Sequence, residues 1–324
     1  MFAFNDILQK IEQEITRLQF TYPPKSLYDP IEYILSLGGK RIRPALVLMA
    51  CNLYKENVDT AVNPALGLEV FHNFTLLHDD IMDNATKRRN HPTVHVKWND
   101  NTAILSGDAM LIKSLQYVAQ TDSQHFKDVL DLFNATALEV CEGQQYDMEF
   151  EQRDAVSEAE YIEMIRLKTA VLLASSMKIG AIIGGASETE ANGLYSFALN
   201  VGMAFQLQDD LLDVYGDENH FGKSIGGDIA ANKKTYLLIK ARELANEQQT
   251  AELNKWLKAT EFVRETKISA VRGIYDQLEI HSVVTQKISH FFIEAMQSLH
   301  DLNLGKDNRT FLENFATVLL QRDR

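Results

Sequence analysis

Residues 66–83 read LGLEVFHNFTLLHDDIMD. Leu66, Leu68, Val70, Phe71, Phe74, Leu76 and Leu77 make the run apolar over several turns, and it ends on three aspartates. Asp79 and Asp83 are four apart, so on a helix they share a face one turn apart. Residues 201–213, VGMAFQLQDDLLD, do the same. An apolar run through Val201, Met203, Phe205 and Leu207 ends on Asp209, Asp210 and Asp213, with Gln206 and Asp210 paired on one face. Like charges one turn apart weaken a helix slightly, and more beside an apolar interior unless something neutralises them. Solvated helix ends would explain one such pair. Two clusters of the form DDxxD, each ending an apolar helix, point to a divalent metal. Magnesium takes carboxylates, waters and phosphate oxygens, so two such helices, opposed, would grip a phosphorylated ligand through the ions.

The rest of the chain is read as helical. Of 324 residues only 16 are Gly and 6 Pro, none of the prolines after Pro92, and 45% are apolar. Periodicity predicts helices near 4–19, 28–37, 44–54, 61–83, 99–119, 125–150, 157–183, 189–214, 230–247, 251–257, 260–280, 282–300 and 307–321, with loops at 86–96 and 221–227. No low-complexity linker interrupts them, so residues 1–324 are expected to form one all-α domain. Lys and Arg total 32 against 45 acids, a net charge of -13, which disfavours nucleic acid and anionic membrane as partners. The opening MFAFNDILQKIEQEI is unlike a secretory signal, and no uninterrupted apolar run has the length of a membrane span, so no transmembrane segment and a cytoplasmic location are expected. Cys51 and Cys141 read as buried thiols, too few and too far apart for a metal site.

A diphosphate calls for cations as well as metal. Lys40, Arg41 and Arg43 follow a Gly38-Gly39 turn, Arg88 and Arg89 follow Asp83, and Lys223, Lys233 and Lys234 follow Asp213. Arginine offers phosphate a planar fork and lysine a mobile point charge. The glycines lack the spacing of a P-loop or dinucleotide motif. His72 and His78 are six apart, unlike a helical zinc pair, and no nucleophile turn is present.

Taken together, GGKRIRP at 38–44, HNFTLLHDDIMD at 72–83, RR at 88–89, GD at 107–108, GQxxD at 143–147, KT at 168–169, FQLQDDLLD at 205–213, GK at 222–223 and KKT at 233–235 resemble the trans-isoprenyl diphosphate synthases, the farnesyl and geranylgeranyl diphosphate synthase type of polyprenyl synthetase. The resemblance implies an isoprenoid synthase fold of antiparallel helices around a central cavity, and a homodimer. It implies an enzyme that joins isopentenyl diphosphate to dimethylallyl, geranyl or farnesyl diphosphate and releases pyrophosphate. The cofactor it implies is magnesium, as three ions with diphosphate bound, and no organic group. Carried onto this chain, Asp79, Asp80, Asp83, Asp209, Asp210 and Asp213 form the metal-bearing rims, with Asp79, Asp83, Asp209 and Asp213 as ligands. Arg88, Lys168, Thr169, Gln206, Lys223 and Lys233 would hold the allylic diphosphate, and Gly39, Lys40, Arg43, His72 and Arg89 isopentenyl diphosphate. Asn90 and Ala170 stand where many members have Gly, which is tolerable if the local backbone admits a side chain. Phe74, five before Asp79, and Thr75 resemble the product floor of short-chain members, implying a chain of twenty or fifteen carbons. A terpene cyclase would usually carry an Asn/Ser/Glu metal motif in place of the second DDxxD. A noncatalytic subunit would not need the full set of charged residues.

Overall fold

The computed structural model describes residues 2–216 and 225–321. In chain order they form α1 (Phe4–Thr16), α2 (Lys25–Ser36), α3 (Ile42–Asn52), α4 (Asp59–Met82), strands β1 (Lys87–Arg88) and β2 (His91–Pro92), α5 (Val94–Lys97), α6 (Asp100–Val118), α7 (Phe126–Gln152), α8 (Glu158–Ile165), a π-helical turn (Arg166–Ala170), α9 (Val171–Gly184) and α10 (Glu188–Tyr215). After the undescribed segment come α11 (Gly227–Ala230), α12 (Tyr236–Leu244), α13 (Glu247–Lys258), α14 (Arg264–Gln277), α15 (Ile280–His300) and α16 (Lys306–Leu320). The all-α expectation holds. Contacts divide the chain into two compact units, residues 1–135 with 175–195 and residues 136–174 with 196–324.

In the first unit, α1 buries Ile7, Ile11 and Ile15, a stripe repeating every fourth residue. Helix α3 is buried from Pro44 to Cys51 and α4 along most of its length, as expected of helices apolar all round. Phe71 and Leu68 are fully buried, and each such side chain contributes roughly 1.5–3 kcal/mol. Helix α4 packs chiefly on α6. The two approach so closely at Gly107 that an added Cβ would lie 2.2 Å from the His78 ring, which accounts for the glycine of the GD pair. In the second unit, Tyr161, Leu207, Leu237, Tyr275 and Val284 belong to one core. Glu158, at the start of α8, receives Lys240 of α12 at 3.1 Å and Lys287 of α15 at 2.8 Å.

Several local expectations are corrected. The segment 86–96 is not a plain loop. Arg88 pairs with His91 and Lys87 with Pro92, and Arg89 and Asn90 turn between the strands with φ of 51° and 64°. Positive φ at both central residues matches the right-handed twist of a two-residue hairpin, and Asn tolerates it better than most side chains. That is how Asn90 stands in a glycine's place. Ala170 fits because Gly202 lies opposite, where an added Cβ would meet the Ala170 methyl at 3.0 Å. The helix predicted from 230 begins at Tyr236, because Asn232 takes a left-handed turn, φ 56°. Cys51 is buried, whereas Cys141 is exposed, one position round α7 from the buried Val140. The stretch Glu158–Gly184 has the length and apolarity of a membrane span, yet 72% of its window is buried inside the protein, as in a core helix.

Candidate functional site

Each aspartate cluster lies in the last turns of a long helix, where unpaired carbonyls put the negative end of the helix dipole. Carboxylates placed there require cations. On α4 the Asp83 N–H donates to the Asp79 carbonyl at 2.8 Å, so both residues stand on successive turns, as their spacing predicts. Asp80 is buried and grasped by Arg88 through two bonds, Nε to Oδ2 at 2.9 Å and Nη2 to Oδ1 at 2.8 Å. Burial raises its carboxyl, and the Arg88 fork works against that.

Beside this cluster the first unit gathers guanidinium groups around His72. Arg43 Nη1 lies 3.0 Å from His72 Nε2. Arginine has no acceptor, so Nε2 accepts and the ring proton sits on Nδ1. Arg43 Nε is buried without a hydrogen-bond partner, and burial lowers the guanidinium to about 10. Arg89 is lowered as well, by burial and then by Arg41. Its guanidinium lies under Gly39, where an added Cβ would stand 2.8 Å from Nη2; Gly39 also has a φ of 146°. Lys40 is exposed. The grouping holds a surplus of positive charge with an unsatisfied donor, the electrostatics of an anion site. Arg41 does not join it. The sequence put this residue in the basic stretch, but its guanidinium turns inward to Glu12, Glu69 and the Leu35 carbonyl.

Burial, then Arg43, Arg89, Arg88 and Arg41, hold His72 well below its ordinary value of 6.5. Folded His72 stays neutral while the unfolded chain takes up a proton below about pH 6.5. The unfolded state binds more protons there, so this group's contribution is fully present above that pH. It falls by about 1.4 kcal/mol per unit as the solution is acidified toward the folded-state value. Denaturant unfolding between about pH 7.5 and 5 is expected to show a shallower loss in His72→Gln than in the parent. Equal slopes would contradict the assignment.

The second unit encloses a cavity of about 210 Å³, walled among others by Lys168, Thr169, Gln206, Asp209, Asp213 and Lys233. Lys168 and Thr169 lie in the π-helical turn, a local widening often found at functional sites. Lys168 Nζ donates to Asp147 Oδ2 at 2.5 Å. Thr169 Oγ1 donates to Gln206 Oε1 at 3.0 Å, and Gln206 Nε2 to Asp210 Oδ1 at 3.1 Å. The buried Tyr161 hydroxyl donates to the other Asp210 oxygen. Burial and then Asp228 push the Asp210 carboxyl well up. Asp213 Oδ2 accepts the Asp228 N–H at 2.9 Å, which folds the start of α11 against α10.

The structure thus gathers Lys168, Thr169, Gln206, Asp209, Asp210, Asp213 and Lys233 at one cavity, and separately Gly39, Arg43, His72 and Arg89 in the first unit. Lys223 lies outside the described residues. Phe74 is buried beside the His78 ring, centroids 4.8 Å apart, and the Thr75 hydroxyl donates to the His72 carbonyl. Sequence reasoning assigned no role to Tyr161, Asp147 or Asp228, which also wall the cavity. Asp147 closes the GQxxD motif and could have been found there; Asp228 stands fifteen residues past Asp213 with no helical register to betray it.

Known proteins resemble this chain in sequence and fold. A polyprenyl synthetase family model matches residues 24–275. The short chain isoprenyl diphosphate synthase of Methanocaldococcus jannaschii is 37% identical over 320 residues, 98% of this chain and 95% of the relative. A crystal structure of a geranylgeranyl pyrophosphate synthase matches with a TM-score of 0.94 at 42% identity, covering 99% of both chains. The geranylgeranyl pyrophosphate synthetase of Pyrococcus horikoshii Ot3 matches with a TM-score of 0.90 at 33% identity, covering 98% of both.

Proposed function

Because this chain belongs to the polyprenyl synthetase family and is a prenyltransferase condensing isopentenyl diphosphate with an allylic diphosphate, we propose that it elongates to twenty carbons and stops at geranylgeranyl diphosphate. The observation that carries the length is Phe74. It is 8% exposed and wedged between Phe71, at 5.6 Å, and His78, at 4.8 Å, while Phe71 leans on Phe133 at 5.4 Å. Packing on both sides holds the ring in place, which supports its reading as a fixed floor. Similarity to geranylgeranyl synthases supports twenty carbons over fifteen. Phe74→Ala is expected to lengthen the product by one or more five-carbon units, read by chromatography of the dephosphorylated alcohols. An unchanged length would remove Phe74 from the floor.

The donor set fits magnesium. It consists of hard carboxylates at helix C-termini, and among the described residues no three potential ligands converge to hold an ion alone. The coordination shell would therefore be completed by water and diphosphate oxygens. Asp79, Asp83, Asp209 and Asp213 are the proposed ligands, for three ions with diphosphate bound. When bound, magnesium would supply charge to the oxygens of the departing pyrophosphate. Lys168 and Lys233 bind the allylic diphosphate, with Lys168 leaving Asp147 to do so. The Lys168 carbonyl and the Thr169 and Gln206 side chains face the allylic cation. Asp210, tied to Tyr161, holds Gln206 in that orientation. Arg43, Arg89, Lys40 and neutral His72 receive isopentenyl diphosphate, whose double bond attacks the cation. The proton is lost to pyrophosphate, and the cavity wall keeps water from the cation.

We read residues 1–324 as one synthase domain, since each crossing of the chain between the two units falls within a helix, α7, α9 or α10. Helix α6 leaves Leu105 and Ile112 about 60% exposed on one face, which supports a homodimer burying that face. A cytoplasmic location accords with two cysteines that form no disulfide.

A further inference from the structure

Arg41 is the basic residue of the Gly38–Arg43 stretch that touches none of the proposed anion site, yet its side chain is 2% exposed and its backbone is left-handed, φ 49°. Its guanidinium spends three donors on three elements. Nε reaches Glu12 of α1 at 3.1 Å, Nη2 the Leu35 carbonyl of α2 at 2.8 Å, and Nη1 Glu69 of α4 at 2.7 Å. Glu69 stands one turn before His72. The fully buried Asn73 locks it further, donating through Nδ2 to the Glu69 carbonyl at 2.8 Å and to Oε1 at 2.9 Å. Two residues on, Arg43 spans the same gap to His72 at 3.0 Å and keeps Nε unpartnered. The segment carrying Lys40 and Arg43 and the helix carrying His72 are therefore tied twice, once by the Arg41–Glu69 ion pair and once by the Arg43–His72 hydrogen bond.

We propose that Arg41 is a positioning residue for isopentenyl diphosphate: its bridge to Glu12 and Glu69 fixes the Gly39–Arg43 segment against His72 and occupies the Glu69 carboxylate, which would otherwise compete for Arg43. The competition is physical. Glu69 is near enough to Arg43, and to Arg89, to act on their charge, so without Arg41 that buried carboxylate is left to these two guanidinium groups. A phosphate arriving at Arg43 would then have to displace an acid already held in a low-dielectric site.

The inference rests on the proposed isopentenyl diphosphate site, and the test separates the two. Arg41→Met, Arg41→Lys and the double variant Arg41→Met with Glu69→Leu are compared with the parent by steady-state kinetics, varying each substrate in turn, and by calorimetric titration with isopentenyl diphosphate. The double variant leaves no orphaned buried charge, so it is the control for any loss of fold in Arg41→Met. The expected result is a KM for isopentenyl diphosphate raised about tenfold or more in Arg41→Met and raised less in the double variant, which loses the bridge but also the competing acid, with the allylic KM moved less than about twofold and Arg41→Lys lying between the parent and Arg41→Met. A folded double variant with an unchanged KM for isopentenyl diphosphate would overturn the proposal. So would equal losses for both substrates, the mark of a general structural role. A parent protein that binds no isopentenyl diphosphate would instead sink the reading of the site.

Discussion

Asp209→Asn is expected to lower kcat about a thousandfold, the scale of losing a preorganised group at developing charge. The change is isosteric, so packing in the second unit is untouched. What it removes is one negative charge from a cavity wall shared with Asp213 and Asp228. A carboxamide oxygen is a poor ligand for a hard divalent ion, so the magnesium concentration giving half-maximal rate rises as well. Calorimetric titration with magnesium and inorganic pyrophosphate gives a readout independent of turnover, and the variant should show weakened binding there. Asp210→Asn provides the contrast. Its oxygens are already taken by Tyr161 and Gln206, so the loss appears in kcat through a misoriented Gln206, with magnesium dependence little changed. Equal magnesium dependence in parent and Asp209→Asn would withdraw Asp209 from the ligand set.

Gly143→Ala carries the second large effect, from a position with no functional group. An added Cβ would lie 2.3 Å from the Lys168 amide nitrogen, 2.7 Å from its Cα and 2.8 Å from the Leu167 carbonyl carbon. These are backbone atoms and cannot rotate away. Helix α7 and the π-helical turn must separate, and Lys168, Thr169 and the bond from Thr169 to Gln206 move with the turn. Overpacking of this kind costs about 1–3 kcal/mol of stability. A displacement of this size at the reacting groups costs on the order of a hundredfold in kcat/KM for the allylic substrate. Thermal unfolding and kinetics on the same preparation check both. A variant of parental stability and activity would mean the turn tolerates displacement, and Lys168 would lose its assigned precision.

The residues that declared themselves in the sequence are those whose signal is local. Asp79 with Asp83 and Asp209 with Asp213 repeat at helical spacing behind apolar runs, and helices α4 and α10 follow from those same residues. The prolyl and glycyl punctuation marked the starts of α2 and α3 to within a few residues. What stayed hidden is set by tertiary packing. No spacing rule separates Arg41 from Arg43, although one turns into the protein and the other toward the anion site; the left-handed backbone at Arg41 decides it. The π-helical turn holding Lys168 has no compositional mark, since Arg166–Ala170 continues the helical pattern of α8. Tyr161 reads as an ordinary core aromatic until Asp210 is found beside it. Asp228 reaches the cavity only because Asp213 accepts its amide.

The central claim is a prenyltransferase that stops at twenty carbons, and the chain length of its product tests it most directly. The protein is incubated with excess isopentenyl diphosphate, magnesium and, separately, dimethylallyl, geranyl or farnesyl diphosphate, with a chelator control for each. Every primer is expected to converge on geranylgeranyl diphosphate, and chelation to abolish turnover. A product ending at fifteen carbons would contradict the twenty-carbon reading, and one running well beyond twenty would contradict the assignment of the floor to Phe74 as well.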